Sequence, residues 1–157
     1  MRRSTLCYIE KEGKLLLLFR NKKENDPNEG KWIGIGGGIE DGETPEECVV
    51  REVREETGLT LTAYHYHGIV KFVSESWEDE EMHLFSASGF EGELASCCDE
   101  GELSWIDKDK VMSLPMWEGD RYFLGALLQG KERINMQLVY EGKGPDEHLK
   151  EVIEENE

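Results

Sequence analysis

Alternation of apolar and polar positions predicts β-strands along much of this chain. Residues 4–10 (STLCYIE) and 14–20 (KLLLLFR) flank a short polar stretch from Lys11 to Gly13, a pattern typical of a β-hairpin with a tight turn. Further strands are predicted wherever β-branched and apolar residues alternate again. These segments are 31–38, 63–74, 81–90, 102–107 and 133–142.

Residues 45–57 have helical spacing and unusually complete end signals. Thr44 is a good N-cap, Pro45 suits the first helical position, and Glu47 completes a capping box with Thr44. Gly58 supplies the left-handed residue that ends a helix. The sequence therefore predicts a helix with defined boundaries.

A second helix is predicted at residues 120–130, where apolar residues recur at helical spacing and Gly130 follows. Residues 108–114 are expected to form one or two helical turns. For the acidic tail, about 146–157, a short amphipathic helix and a disordered segment are both open. The order of elements predicts an α/β fold with a mixed sheet, not a doubly wound parallel sheet.

Composition narrows the class of protein. The 157 residues are most simply one domain, 1–157, and 38% hydrophobic with 34% charged residues is typical of a globular protein. A net charge of −17 disfavours a nucleic acid polymer as partner, although a divalent cation would allow a small phosphorylated ligand to bind. No apolar run approaches a membrane span, and four cysteines without metal spacing favour a cytoplasmic location.

The predicted helix 45–57 carries two distinct faces. Val49, Val50, Val53 and Thr57 share an arc that would face a core. Glu52, Glu55 and Glu56 share another arc, where their like charges repel. Arg51 lies one turn before Glu55, so it is expected to hold that carboxylate.

Two interpretations of the three glutamates compete. Charged helix positions usually form a solvated face. A cluster of carboxylate oxygens also suits a hard cation such as Mg²⁺ or Mn²⁺, which would bridge the protein to phosphates. Gly36, Gly37 and Gly38 precede the helix and would let backbone atoms approach a ligand or metal closely, which favours the second interpretation.

The spacing of nine residues matches the Nudix box, G-x5-E-x7-R-E-U-x-E-E-x-G-U, in which U is aliphatic. They are Gly37, Glu43, Arg51, Glu52, Val53, Glu55, Glu56, Gly58 and Leu59. The chain therefore resembles the Nudix hydrolases over residues 37–59. Over residues 30–47, 98–107 and above all 116–142 it is similar to MutT-like enzymes. These enzymes convert 8-oxo-dGTP and related triphosphates to the monophosphate and pyrophosphate.

This resemblance implies an α/β/α sandwich around a mixed sheet and a Mg²⁺-dependent enzyme, with Mn²⁺ as a possible substitute. It implies that Glu52, Glu55 and Glu56 bind the metal together with the backbone at Gly36. Glu100, or less readily Glu102, would complete the metal site from a loop. The resemblance does not decide which of these carboxylates is the general base. A monomer and a homodimer are both compatible with the family.

For substrate binding, the resemblance assigns stacking on the base to Trp117 and reading of its edge to Asp120. Without the resemblance, Trp117 would be interpreted as a core aromatic. Lys23 matches a lysine near the substrate pocket of relatives.

Three positions depart from the family pattern. Ile33 replaces an asparagine that reads the base, Gly119 replaces a second acidic residue, and Gly38 replaces a phosphate-side lysine. The departures at 33 and 119 leave base selectivity open. Other substrates, such as ADP-ribose, a dinucleoside polyphosphate or a canonical deoxynucleoside triphosphate, therefore stay as alternatives. A nucleotide-binding module without activity also stays open.

Overall fold

The structure is a computed structural model that describes residues 1–21, 28–95, 97–98, 101–143 and 146–155. Its ten strands are β1 (Arg2–Lys11), β2 (Lys14–Arg20), β3 (Trp32–Ile33), β4 (Ile35–Gly38), β5 (Thr60–Val73), β6 (Glu80–Glu91), β7 (Cys97–Cys98), β8 (Gly101–Asp107), β9 (Met136–Glu141) and β10 (His148–Glu154). Its helices are α1 (Pro45–Thr57), α2 (Asp120–Leu128) and a 3₁₀ turn at Val111–Ser113.

One mixed sheet contains all ten strands. Eight of them follow the order β10-β9-β5-β6-β1-β2-β8-β7, while β3 pairs with β2 and β4 pairs with β1. The pairs β1–β6 and β5–β9 are parallel, and the other pairs are antiparallel. The predicted mixed sheet is therefore confirmed.

The alternation of apolar residues in β1 and β2 gives each face of the sheet its own core. Leu6 and Tyr8 belong to a core that also contains Phe123 of α2, called here the α2-side core. Cys7 and Ile9 belong to a core that contains Val49 of α1, called here the α1-side core. Because successive side chains point to opposite faces, a nearly continuous apolar strand serves both layers. The two helices thus cover opposite faces, which confirms the α/β/α sandwich.

The hairpin between β1 and β2 has the predicted tight turn. Lys11 pairs with Lys14, so only Glu12 and Gly13 form the loop. Both have positive φ, 51° and 77°, as a type I′ turn requires. Glycine adopts this conformation without strain, which explains the position of Gly13.

The prediction for the C-terminal tail was wrong in its described part. Residues 148–154 form β10, an edge strand antiparallel to β9, rather than a helix or a disordered segment. The register shifts between Leu149 and Glu151. This bulge places Leu149 and Val152, three residues apart, against the same α2-side core, although their spacing is helical.

Neither helix in the described ranges is long and apolar enough to cross a membrane. With 13 and 9 residues, α1 and α2 lie instead against the sheet.

Candidate active site

The ends of α1 are fixed by the predicted caps. The Thr44 side chain accepts a hydrogen bond from the Glu47 amide at 3.1 Å, and the Glu47 carboxylate accepts one from the Thr44 amide at 2.9 Å. At the other end, Gly58 has φ 80° and its amide donates to the Arg54 carbonyl. These contacts set the position of α1 along its axis, and with it the direction of its glutamates.

Arg51 is the centre of the charge network on α1. It donates two hydrogen bonds to Glu43, at 2.7 and 2.9 Å, and one to Glu52 at 2.8 Å. The predicted contact with Glu55 is present but longer, at 3.2 Å. A further bond at 3.2 Å reaches the Gly38 carbonyl, so one guanidinium ties α1 to the loop before it and to the end of β4.

Glu43, which in the sequence stands out only as a member of the motif, is a structural partner of Arg51. Hydrogen bonds from Arg51, together with the Glu40 amide, lower the pKa of Glu43 to about 2. The same pairing with Glu43 raises the pKa of Arg51. The pair is therefore fully charged at neutral pH, and a bidentate contact of this kind restricts the orientation of the guanidinium.

The three glutamates of α1 have different environments. Glu56 is 8% exposed, and its carboxylate accepts a hydrogen bond from the Gly36 amide at 3.2 Å. The Glu52 carboxylate lies against Gly37, where an added Cβ would be 2.5 Å from its carboxyl carbon. The Glu55 side chain is 61% exposed. Glu52 and Glu56 thus flank the glycines of β4, while Glu55 lies at the surface.

These donors fit a hard divalent cation. Glu52 and Glu56 offer only oxygen atoms, and the space beside Gly37 is one that any Cβ would fill. In the described ranges, no three His, Cys, Asp or Glu side chains are grouped closely enough to hold a metal by themselves. The predicted loop ligand Glu100 lies outside the described residues, as does Lys23, and Glu102 is exposed on β8.

A second cluster surrounds the turn before α2. The Trp117 indole donates to the Asn28 side chain at 2.7 Å, and its ring packs edge-on against Tyr140 with centroids 5.3 Å apart. The Lys31 ammonium lies 4.5 Å from the centroid of the same ring. The Asp120 amide donates to the Trp117 carbonyl at 3.1 Å, which joins the two predicted substrate-binding residues in one turn.

Asp120 is a buried carboxyl, 5% exposed at the start of α2. Burial raises the pKa of Asp120 to about 8, helped by the charge of Glu80 and opposed by Lys31 and Arg121. At neutral pH this side chain is therefore mostly protonated and can donate a hydrogen bond.

A family model for the NUDIX domain matches residues 1–127. The chain belongs to the Nudix hydrolase family. Enzymes of this family generally use divalent metal ions, which agrees with the oxygen donors at Glu52 and Glu56.

Similar proteins include Nudix hydrolases with different substrates in their names. The oxidized purine nucleoside triphosphate hydrolase of Danio rerio is 37% identical over 129 residues, which cover 81% of this chain and 80% of that protein. The ADP-ribose pyrophosphatase of Methanocaldococcus jannaschii is 53% identical over 110 residues, covering 68% and 62%. The MutT protein structure from Bacillus halodurans has a TM-score of 0.87 at 30% identity, covering 100% and 99%.

The three departures from the family pattern have different surroundings in this Nudix hydrolase. Ile33 packs against the α1-side core, whereas its neighbour Trp32 packs with Trp117 against the other core. At Gly119, an added Cβ would lie 2.7 Å from a Leu138 methyl group and 2.8 Å from the Tyr140 hydroxyl. At Gly38 the nearest atom would be 3.8 Å away, on Arg2. A side chain therefore fits at residue 38 without adjustment, whereas at residue 119 the Leu138 and Tyr140 side chains would have to move.

An open cleft of about 800 Å³ runs along the outer side of α1. Its walls include Arg51, Glu55 and Tyr64, and it is continuous with the exposed part of the charge network. The half-buried Glu52 and the buried Glu56 do not line it. The structure therefore brings Arg51, Glu52, Glu55 and Glu56 together on α1. Trp117 and Asp120 lie on the other face of the sheet, at the α2-side core and the start of α2.

Proposed function

We propose that this Nudix hydrolase converts oxidised purine nucleoside triphosphates, such as 8-oxo-dGTP, to the monophosphate and pyrophosphate with Mg²⁺. Residues 1–157 would act as one domain, since strands from both ends of the chain share one sheet. The relative from Danio rerio, whose name gives this activity, supports the proposal. The observation that carries it is the buried Asp120 carboxyl, protonated at neutral pH, in one turn with Trp117.

At the phosphate end, Glu52 and Glu56 would hold the cation, with Glu55, Glu100 and the Gly36 backbone as further candidates. The cation, Mg²⁺ or in its place Mn²⁺, would neutralise phosphate charge and lower the pKa of a bound water. Arg51 keeps Glu52 in place through its 2.8 Å hydrogen bond. A carboxylate oxygen of Glu52 or Glu100 would orient the attacking water and accept its proton.

At the base end, the Trp117 indole would stack on the purine, a contact worth about 1–3 kcal/mol. The Asp120 O–H would donate to an acceptor on the purine edge. A site that hydrogen-bonds a particular edge discriminates strongly against analogues without it, because its buried polar group would otherwise be unpaired. With Gly119 and Ile33 offering no polar side chain, Asp120 would carry most of this selectivity.

ADP-ribose is the second candidate substrate. The relative from Methanocaldococcus jannaschii is named an ADP-ribose pyrophosphatase and is 53% identical over the aligned region. ADP-ribose also contains a purine and a diphosphate, so Trp117 and the α1 carboxylates would serve it equally. ADP-ribose differs from an oxidised purine triphosphate at the edge of the base and in the group attached beyond the second phosphate.

The test is a substrate panel with purified protein and Mg²⁺, in which pyrophosphate, orthophosphate and nucleoside monophosphate are quantified separately. The panel contains 8-oxo-dGTP, dGTP, the other canonical triphosphates, ADP-ribose and a dinucleoside polyphosphate. We expect 8-oxo-dGMP and pyrophosphate to form from 8-oxo-dGTP with a kcat/KM well above that for dGTP. Chelation of the metal should stop turnover, and Mn²⁺ should restore it.

A higher kcat/KM for ADP-ribose than for any triphosphate would replace the proposed substrate and keep the metal site. Tight nucleotide binding without product over hours would instead favour a binding module. A small nucleotide partner, rather than a polymer, is supported by the charge of −17.

A further inference from the structure

Tyr140 of β9 contacts the turn before α2 in two ways. Its hydroxyl accepts a hydrogen bond from the Gly119 amide at 2.7 Å. Its ring meets the Trp117 indole edge-on, with an angle of 85° between the planes. Tyr140 is 5% exposed, so both contacts are made in the protein interior. A strand of the central sheet thus holds the turn that carries Trp117 and Asp120.

The absence of a side chain at Gly119 is what allows this contact. Its φ and ψ, −67° and −29°, are accessible to any residue, so backbone strain does not require glycine here. Glycine is favoured here by lack of space, because a Cβ would be 2.8 Å from the Tyr140 hydroxyl and 2.7 Å from Leu138. The polar group that contacts the residue before Asp120 is therefore the Tyr140 hydroxyl of β9, and not a side chain of the turn.

We infer that Tyr140 is a positioning residue for base recognition, which sets Trp117 and Asp120 in their relative places through the Gly119 amide. The inference rests on the proposed function, since it assigns the base to these two residues. The hydroxyl suits this task because burial raises the pKa of Tyr140, so it stays neutral at physiological pH. If the hydroxyl is removed, the buried Gly119 amide loses its acceptor and the turn must shift to find another.

The first experiment compares Tyr140→Phe with Tyr122→Phe. Tyr122 is 50% exposed on α2, so its variant controls for loss of a tyrosine hydroxyl near the turn. We expect Tyr140→Phe to raise the KM for 8-oxo-dGTP by about tenfold, the order of one buried hydrogen bond, with kcat within about twofold. The affinity for the product 8-oxo-dGMP, measured calorimetrically without metal, should fall by a similar factor. Tyr122→Phe should match the wild type in both.

A second variant tests the same contact from the other side. Gly119→Ala keeps Tyr140 but pushes its hydroxyl away, and we expect the same rise in KM. Gly125→Ala is the matched control, since its added Cβ would meet nothing closer than a Met112 methyl group at 3.8 Å. Because the two changes disturb one contact, their effects in the double variant should be less than additive.

A lower melting temperature with unchanged KM and product affinity in both Tyr140→Phe and Gly119→Ala would overturn the inference, because Tyr140 would then only stabilise the fold. Wild-type protein that neither hydrolyses purine triphosphates nor binds 8-oxo-dGMP would overturn the proposed function, and the inference with it. The wild-type measurement therefore separates the two failures.

Discussion

Two carboxyl groups in this protein have pKa values displaced in opposite directions. Hydrogen bonds from Arg51 lower the pKa of Glu43 to about 2, while burial raises the pKa of Asp120 to about 8. Glu43 has the Arg51 cation within hydrogen-bond distance. Asp120 is removed from solvent, and the nearby charges of Lys31 and Arg121 do not offset the effect of burial on its pKa. The same functional group is therefore a permanent anion at α1 and a hydrogen-bond donor at the start of α2.

The two regions also differ in how far along the chain their contacts reach. Arg51 binds residues no more than 13 positions away, from Gly38 to Glu55. Trp117 is held by Asn28, 89 positions away, and Gly119 by Tyr140, 21 positions away. We call residues 36–56, which contain the Arg51 network, the charged region, and the turn 117–120 the buried region. The charged region is formed by one continuous segment of the chain. The contacts of the buried region come from residues distant in sequence that the sheet brings together. Changes at α1 should thus affect chemistry locally, and changes at the turn should affect selectivity through packing.

The largest effect is expected from Glu56→Gln at the charged region. The amide keeps the size of the side chain and an acceptor for the Gly36 amide, so folding should be normal, but the charge with which Glu56 would bind the proposed cation is lost. Loss of a residue that only orients a metal ligand costs about 10–100-fold, so we expect the loss of a ligand charge to lower kcat by more than about 100-fold. The measurement is turnover of 8-oxo-dGTP at saturating Mg²⁺, with circular dichroism to verify folding.

Glu46→Gln is the control for that experiment, because Glu46 is an exposed glutamate in the first turn of the same helix. It removes the same charge from α1 without touching the cluster and should keep wild-type turnover. Near wild-type turnover in Glu56→Gln would mean that this buried carboxylate only supports the fold through its hydrogen bond from the Gly36 amide, and that turnover needs no metal bound by Glu56.

A smaller and more selective effect is expected from Gly37→Ala. The added methyl group would lie 2.5 Å from the Glu52 carboxyl carbon, so the flexible carboxylate must move. We expect a fall in kcat of about 10–100-fold, typical of a displaced metal-site group, with little change in melting temperature. Steady-state kinetics and thermal unfolding of the same preparation measure both quantities.

Gly38→Ala provides a neighbouring comparison, because its Cβ would meet nothing closer than 3.8 Å. Its kcat should stay within about twofold of wild type. Equal losses in the two variants would point to a general effect on β4 rather than to the position of Glu52.

The charged region could be predicted from sequence because its determinants are local. The cap residues Thr44, Glu47 and Gly58 fixed the ends of α1, and helical geometry then placed Arg51 beside Glu55. Helical geometry alone does not rank the contacts of Arg51 by length. Arg51 binds Glu43 more closely than Glu55, because the loop before α1 folds back against the helix.

For the buried region, the resemblance identified Trp117 and Asp120, but the sequence did not predict their contacts or burial. No local pattern indicates that Gly119 faces Tyr140, or that Asp120 is buried deeply enough to stay protonated. Both depend on the pairing of β9 with β5 and on the packing of α2 against the sheet. The edge strand β10 was missed for a related reason, since its bulge converts strand alternation into an apparently helical spacing.

Asp120→Asn tests the buried region through the pH dependence of stability rather than through turnover. In the unfolded chain the carboxyl ionises near 3.8, and in the folded protein near 8. Between these values the folded state holds one more proton, so this residue lowers the free energy of unfolding as pH rises, by at most about 1.4 kcal/mol per pH unit. Below pH 4 and above pH 8 its contribution no longer changes with pH.

The asparagine does not titrate, so the difference in unfolding free energy between variant and wild type should grow in favour of the variant from pH 5 to pH 8. Urea unfolding at pH 5, 6.5 and 8 measures it. A difference that stays constant with pH would show that Asp120 is already ionised at pH 5. The two carboxyls would then not differ in charge, and a hydrogen bond donated by Asp120 to a purine would be excluded at neutral pH.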